Sequence, residues 1–156
     1  MTLDAVRHIF PPGMHCRLWL VGGSVRDRLR GETNQDADLI ASCSPEELAA
    51  AGFHPVVSKS TGPIWFRSHP QLGKIEVTLL NREQSLGDEL GPRDFRSNAV
   101  AMSLDGAVID PLGCREDIEQ RILRPCTFQP AATTAIQCRG GMLSAGLQPC
   151  RQRNSG

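Results

Sequence analysis

The sequence contains no tyrosine, and only 5 phenylalanines and 2 tryptophans are spread over its 156 residues. Surfaces that bind single-stranded nucleic acid by stacking depend on aromatic rings, so this scarcity argues against a base-stacking platform. Positive charge is not in excess either, because 17 Lys and Arg residues balance 17 Asp and Glu residues. Proteins that bind RNA through many of its phosphates need a basic surface. The chain by itself is therefore not expected to bind RNA strongly.

Long hydrophobic runs are also absent. The apolar stretch at residues 18–21 (LWLV) is far too short to span a bilayer or to form the core of a secretory signal. We therefore expect a cytoplasmic protein without a membrane partner.

Metal-binding patterns of cysteine and histidine are missing as well. The 6 cysteines are scattered without a C-x-x-C pair, and the 4 histidines form no H-E-x-x-H motif. Zinc binding and thiol redox chemistry are therefore not expected. The histidines are better explained as ordinary surface or half-buried residues.

The pattern of short apolar segments predicts one mixed domain of the α/β (α+β) class, with a small mixed sheet flanked by helices. Strands are expected over residues 17–21, 36–42, 54–59, 64–67, 74–80 and 107–109, and a helical turn that runs into a strand over 95–102. Helices are expected near the N-terminus up to Phe10, over residues 24–30, from Ser44 to about Gly52, and over residues 115–122.

The composition changes after Arg124. Residues 125–156 contain no Asp or Glu and show no helical or strand periodicity. We therefore expect a head domain at residues 1–124, followed at 125–156 by an irregular tail that is disordered or non-native.

A glycine turn follows the first predicted strand. Val21 is followed by Gly22, Gly23 and Ser24, and then by a predicted helix whose free N–H groups face whatever lies beyond the turn. Glycine allows phosphate oxygens to approach the backbone, the Ser24 hydroxyl is a donor, and Arg26 is a planar cation suited to phosphate. Taken in isolation, the turn is better explained as an ordinary strand-to-helix connection.

Two aspartates follow shortly after this turn. Asp36 and Asp38 are two residues apart on a predicted strand, which places both carboxylates on one face. Mg²⁺ is typically bound by one or two carboxylates together with substrate phosphates. Such a pair is usually just a polar strand end, but the preceding glycine turn favours a metal and phosphate site. Glu76, on a later strand, faces either solvent or the same metals.

Three stretches together resemble one known family. Residues 20–31 (LVGGSVRDRLRG) with residues 36–39 (DADL) are similar to the head domain of class II CCA-adding tRNA nucleotidyltransferases and bacterial poly(A) polymerases. These enzymes belong to the DNA polymerase β-like nucleotidyltransferase superfamily. Residues 93–101 (RDFRSNAVA) resemble the family motif R-R-D-F-T-I-N-A-L-A, and residues 109–117 resemble the head-closing I-D-P-F-G-G-x-x-D-L stretch. The resemblance covers about residues 17–124.

This resemblance implies an enzyme that transfers AMP or CMP from ATP or CTP to an RNA 3′ end, in tRNA processing. It implies Mg²⁺ as the cofactor, bound by Asp36 and Asp38, with Glu76 as a third catalytic acid. It also implies RNA, most specifically tRNA, as the partner, and no DNA. The implied nucleotide-binding residues are Gly22, Gly23, Ser24, Arg26, Arg93, Asp94 and Asn98.

The sequence departs from the family motif at two places. Pro92 stands where the motif has its first arginine, and Arg96-Ser97 replaces Thr-Ile. The loss of a cation predicts weaker nucleotide binding, by about 1–3 kcal/mol. Two alternatives therefore stay open: a truncated or degenerate head that binds Mg²⁺-nucleotide without catalysis, and a minimal nucleotidyltransferase with a non-RNA substrate.

Overall fold

The computed structural model describes residues 2–33, 36–57, 63–81, 83–126 and 148–149. Within them, the helices are α1 Leu3–Arg7, α2 Gly23–Leu29, α3 Pro45–Ala50, α4 Leu86–Leu90 and α5 Arg115–Glu119, and 3-10 turns span Pro12–Arg17 and Arg96–Asn98. The strands are β1 Leu18–Val21, β2 Ala37–Ala41, β3 His54–Val57, β4 Pro63–His69, β5 Gly73–Leu79, β6 Ala101–Ser103, β7 Val108–Ile109, β8 Ile122–Leu123 and β9 Gln148–Pro149.

Seven of these strands form one sheet, in the order β3-β4-β5-β2-β1-β6-β7. β2 and β5 run parallel, whereas the other neighbouring strands of this sheet are antiparallel. β8 and β9 form a separate parallel pair. The mixed sheet with helices confirms the predicted α/β (α+β) class, and it is not a doubly wound parallel sheet.

The central strands bury apolar side chains on both faces of the sheet. On one face, strand residues such as Leu18, Leu20, Leu39, Ile75 and Val77 form the larger core together with residues of α1 and α3. On the other face, a smaller cluster contains Val21, Ile40, Ala101, Leu90 and Cys114. Asp38 and Glu76 alternate with residues of the larger core, so their side chains lie on this second face.

The predicted start of α3 is confirmed in detail. The Ser44 hydroxyl accepts a hydrogen bond from the Glu47 N–H at 3.2 Å, and the Glu47 carboxylate accepts one from the Ser44 N–H at 2.9 Å. Pro45 occupies the first helical position, where its missing N–H leaves no donor unsatisfied. The capping box thus fixes the connection between β2 and α3.

The last predicted helix is shorter than expected. α5 ends at Glu119, and Arg121 has a positive φ of 56°, after which Ile122 enters β8. The prediction was wrong for residues 120–122 because a short apolar spacing fits both a helix and a strand. α4 was not predicted, although the Ser85–Asp88 capping box at its start is a recognisable signal.

Two predicted regions fall largely outside the described residues. These are the end of the strand predicted to reach residue 59 and most of the tail at 125–156. Of the tail, Pro125 forms an antiparallel bridge with Phe95, and the Cys126 N–H donates to the Asp94 carbonyl at 3.2 Å. The boundary at residue 124 and the nature of the tail stay predictions.

The described residues also bear on cysteine pairing and membrane insertion. Cys16, Cys43, Cys114 and Cys126 are free thiols. Within this described part of the chain, no helix is both long and apolar enough to cross a membrane.

Candidate active site

The glycine turn between β1 and α2 brings three predicted site residues together. Gly22 has φ +66° and ψ −140°, a conformation that is strained for residues with a side chain. A Cβ at Gly22 would lie 3.3 Å from Arg93 Nη1 and 3.4 Å from Asp38 Oδ2. The absence of a side chain at Gly22 therefore leaves room for a cation and a carboxylate at the same point.

Asp38 and Glu76 occupy directly opposite positions on the parallel strands β2 and β5. Because side chains alternate along each strand, the two carboxylates lie next to each other on one face of the sheet. Like charges in such positions repel each other. The arrangement is thus unfavourable without a cation and suited to one.

The electrostatics of Asp38 reflect this crowding. Burial raises the pKa of its carboxyl above the ordinary value, and the negative charges of Glu76 and Asp36 raise the pKa further. The positive charges of Arg93 and Lys74 act in the opposite direction. An acid whose ionised form is disfavoured in this way gains from a divalent cation placed beside it.

Asp36 immediately precedes β2 and is exposed. Its negative charge contributes to the raised pKa of Asp38. No cluster of three or more His, Cys, Asp or Glu side chains in the described residues has the arrangement of a complete metal cage. Mg²⁺ is commonly bound by only one or two carboxylates together with substrate phosphates. Such a site does not need a cluster of three protein ligands.

Arg93 is held close to Asp38 by the chain that follows α4. Burial lowers the pKa of its guanidinium, whereas the nearby carboxylates of Glu89 and Asp38 raise it. Its buried Nε has no hydrogen-bond partner. A half-buried cation next to an acidic centre is suited to bind an anionic ligand such as a phosphate.

Arg26 and Asn98 contact each other, although they are far apart in sequence. Arg26 Nη1 donates to Asn98 Oδ1 at 3.0 Å, and Arg26 also forms an ion pair with Asp27 at 2.8 Å. Arg26 is buried, with 5% of its surface exposed. These contacts connect α2 to the 3-10 turn at Arg96–Asn98, and they fix the direction of the Arg26 guanidinium.

The remaining predicted site residues, Ser24, Gly23 and Asp94, do not take part in the contacts described above. The buried Ser24 hydroxyl donates to the Val21 carbonyl at 2.8 Å, so its hydrogen is directed at the protein backbone. Gly23 begins α2. Asp94 is exposed, and among the described residues the structure does not bring its carboxylate into the contacts above.

Sequence reasoning missed two features near the site. Lys74 contacts the Glu76 carboxylate, and the K-x-E spacing on one strand is the signal that places both on one face. Arg96, at a position where the family motif differs, forms an ion pair with Asp117 at 3.2 Å. Arg124 forms a second ion pair with Asp117 at 3.4 Å.

The head-closing stretch has a structural role in this chain. Asp110 accepts hydrogen bonds from the N–H groups of Cys114 at 2.7 Å and Arg115 at 2.8 Å, and so caps α5. Arg96 donates to the carbonyl groups of Leu112 and Gly113. The loop at residues 110–113 is thereby attached to the 3-10 turn that carries Asn98.

A cavity of about 410 Å³ lies elsewhere, along α1 and the turn after it. It is lined by Asp4, Arg7, His8, Phe10, Pro12 and His15. None of these residues belongs to the predicted site.

Comparison with known proteins shows similarity to enzymes that add nucleotides to tRNA. Residues 18–61 match the family described as the poly A polymerase head domain. The CC-adding tRNA nucleotidyltransferase of Halalkalibacterium halodurans is 36% identical over 115 residues, which cover 73% of this chain and 29% of that protein. The multifunctional CCA protein of Acinetobacter baumannii (strain SDF) is 36% identical over 126 residues, with 69% and 29% covered. The chain thus spans less than a third of these curated relatives.

Solved structures show the same relationship. The Bacillus stearothermophilus CCA-adding enzyme in complex with CTP aligns with a TM-score of 0.59 and 35% identity, over 70% of this chain and 29% of that one. A tRNA nucleotidyltransferase complexed with a primer tRNA and an incoming ATP analogue aligns with a TM-score of 0.58 and 28% identity, over 81% and 39%. The mixed sheet and its helices are therefore similar to the corresponding parts of these two solved structures.

Proposed function

Because this chain contains a head domain of the kind shared by poly(A) polymerases and CCA-adding enzymes, we propose that it transfers CMP or AMP from CTP or ATP to the 3′ end of an RNA. tRNA is the proposed acceptor. The observation that carries the proposal is the meeting of Gly22, Asp38 and Arg93 at one point, beside Glu76. This arrangement combines carboxylates that can bind a metal ion with an arginine that can bind phosphate, and nucleotidyl transfer requires both.

The metal is proposed to be Mg²⁺, held by Asp36 and Asp38, with Glu76 as a third acid. The raised pKa of Asp38 and its position opposite Glu76 support a site that is incomplete without a cation. When bound, Mg²⁺ supplies activation of the attacking 3′-hydroxyl and neutralisation of charge on the departing pyrophosphate.

The nucleotide is proposed to lie over the glycine turn. Gly22 lets phosphate oxygens come close to the backbone, and Gly23 and Ser24 contribute N–H groups at the start of α2. Arg93 donates to the phosphates through its half-buried guanidinium. Pro92 is exposed and has neither an N–H group nor a charge. Of these two neighbouring residues, only Arg93 can therefore donate to the phosphates.

A second group of residues is proposed to orient the nucleotide from the side of the 3-10 turn. Arg26 is fixed by its bond to Asn98, and the two act together on the ribose and phosphates. Asp94, which is exposed, is proposed to hydrogen-bond the nucleotide as well. These motifs follow each other in the same order as in the family they resemble, which supports these roles.

The proposal is tested by a transfer reaction with purified protein. The protein is incubated with Mg²⁺, α-labelled CTP or ATP and a high concentration of a tRNA that lacks its 3′-terminal nucleotides. Labelled tRNA is expected with the wild type and not with Asp38→Asn. Equal labelling by both proteins would place the metal elsewhere. Nucleotide binding that depends on Asp38 without any transfer would favour the alternative of a non-catalytic head.

A further inference from the structure

Lys74 lies on the same face of β5 as Glu76, two residues before it. Its ammonium group contacts the Glu76 carboxylate and lies 4.3 Å from the centre of the Phe66 ring. Phe66 in turn is directly opposite Glu76 on the neighbouring strand β4. The face of an aromatic ring attracts a cation, so Phe66 and Glu76 together bind the Lys74 ammonium.

A row of side chains therefore crosses the sheet from β4 to β2. It runs from Phe66 through Glu76 to Asp38, because each is the register partner of the next. Lys74 adds a positive charge to a row that otherwise contains two adjacent carboxylates. In the protein without metal, this charge offsets the repulsion between them.

We propose that Lys74 is the resident counter-cation of the Asp38–Glu76 pair and that a divalent metal must displace it from Glu76 in order to bind. Lys74 is thus a positioning residue that acts through Glu76 and sets the affinity of the site for metal. This inference rests on the proposed function, since it concerns the same metal site.

Lys74 is suited to such an exchange. Its side chain is 55% exposed, compared with 32% for Glu76, so the ammonium can move into solvent while Glu76 stays on the sheet. An ion pair with this exposure is weak. A doubly charged ion next to two or three carboxylates interacts more strongly with them than the single ammonium does.

The test is Mn²⁺ binding to the whole chain, measured by electron paramagnetic resonance or calorimetry without nucleotide. Lys74→Met removes the charge and retains a flexible side chain that packs on an aromatic ring, and Lys74→Gln provides a second neutral variant. Both are expected to bind Mn²⁺ about two- to fivefold more tightly than the wild type, as removal of one exposed competing charge implies. Lys74→Arg keeps the charge, and Arg115→Met removes an exposed charge that pairs with Glu119; both should bind as the wild type does.

A role of Lys74 in stability alone would leave Mn²⁺ binding unchanged or weaken it, and either result in both neutral variants would overturn the inference. In a Glu76→Gln background, Lys74→Met should produce a smaller gain, because the carboxylate for which the two cations compete is gone. An undiminished gain would show that Lys74 does not act through Glu76.

The failure of this inference differs from the failure of the proposed function. If Asp38→Asn abolishes Mn²⁺ binding but neither neutral variant tightens it, the metal site stands and the role of Lys74 is rejected. If Asp38→Asn binds Mn²⁺ as tightly as the wild type, the ion is bound elsewhere. Both proposals then fail.

Discussion

Asp38 on β2 and Glu76 on β5 stand directly opposite each other on parallel strands. Two further contacts of the candidate site involve this pair. Arg93 approaches Asp38 across Gly22, and Lys74 contacts Glu76 from the other side. Substitutions at and around this pair are therefore the best test of how the metal, the phosphates and the competing Lys74 ammonium bind.

The first prediction concerns the pH dependence of stability. The pKa of Asp38 is above its ordinary value of 3.8, mainly because of burial. The folded state therefore binds this proton more tightly than the unfolded chain, and ionisation lowers the free energy of unfolding as the pH rises from 3.8 through the raised pKa. Asp38→Asn removes this loss, so the variant should be more stable than the wild type at neutral pH.

Denaturant unfolding in the presence of a chelator measures this effect. The stability advantage of Asp38→Asn should shrink as the pH is lowered towards the ordinary aspartate pKa. Asp105→Asn, at an exposed aspartate that pairs with Arg7, is the matched control and should show no such advantage. A variant that is less stable than the wild type at neutral pH would contradict the assigned cause.

The second prediction concerns the glycine turn. Gly22→Ala places a Cβ 3.3 Å from Arg93 Nη1 and 3.4 Å from Asp38 Oδ2, at a positive φ. The backbone strain should reduce the free energy of unfolding by about 1–3 kcal/mol, and the displaced groups should weaken metal binding. Gly13→Ala is the control, because a Cβ there meets nothing within 4 Å. Thermal unfolding that is unchanged in Gly22→Ala would show that the turn tolerates a side chain.

The third prediction concerns nucleotide affinity. Arg93→Met removes a half-buried cation whose charged form is disfavoured by burial, so the folded state should not lose stability. Loss of a charged hydrogen bond to phosphate should weaken CTP or ATP binding about ten- to a hundredfold. Arg115→Met, an exposed arginine on α5, should bind nucleotide normally. Unaltered binding in Arg93→Met, measured by equilibrium dialysis, would remove Arg93 from the phosphate site.

The fourth prediction concerns the attachment of the head-closing stretch. Asp117 is 4% exposed and pairs with both Arg96 and Arg124. Asp117→Asn breaks these pairs and leaves two partly buried cations, so we expect a loss of about 1–3 kcal/mol in the free energy of unfolding. Asp105→Asn breaks an exposed pair and should cost less than about 1 kcal/mol. Equal effects in denaturant titrations would mean that burial of Asp117 is unimportant.

Local signals in the sequence predicted much of the fold. The capping box at Ser44 and Glu47 determines where α3 begins, and the structure confirms it. The glycine turn before α2, where Gly22 has φ +66°, is also determined by residues at the turn itself. Order and direction of the strands were not predictable in this way, because the parallel pairing of β2 with β5 joins segments far apart in sequence.

The same distinction holds for the candidate site. The Asp36 and Asp38 spacing and the glycine turn are local patterns, so they were recognised. The neighbourhood of Asp38 and Glu76 depends on strand register. The ion pair of Arg96 with Asp117 depends on how the 3-10 turn packs against α5. Such contacts cannot be read from spacing along the chain, except that Lys74 and Glu76 share one face of a strand.

The most direct measurement is equilibrium binding of labelled CTP and ATP to the purified chain, with and without Mg²⁺, for the wild type, Asp36→Asn and Asp38→Asn. We expect Mg²⁺ to strengthen nucleotide binding to the wild type, and either substitution to remove this effect while the fold, checked by circular dichroism, is retained. Mg²⁺-dependent binding that persists in both variants would contradict the assignment of the site to Asp36 and Asp38.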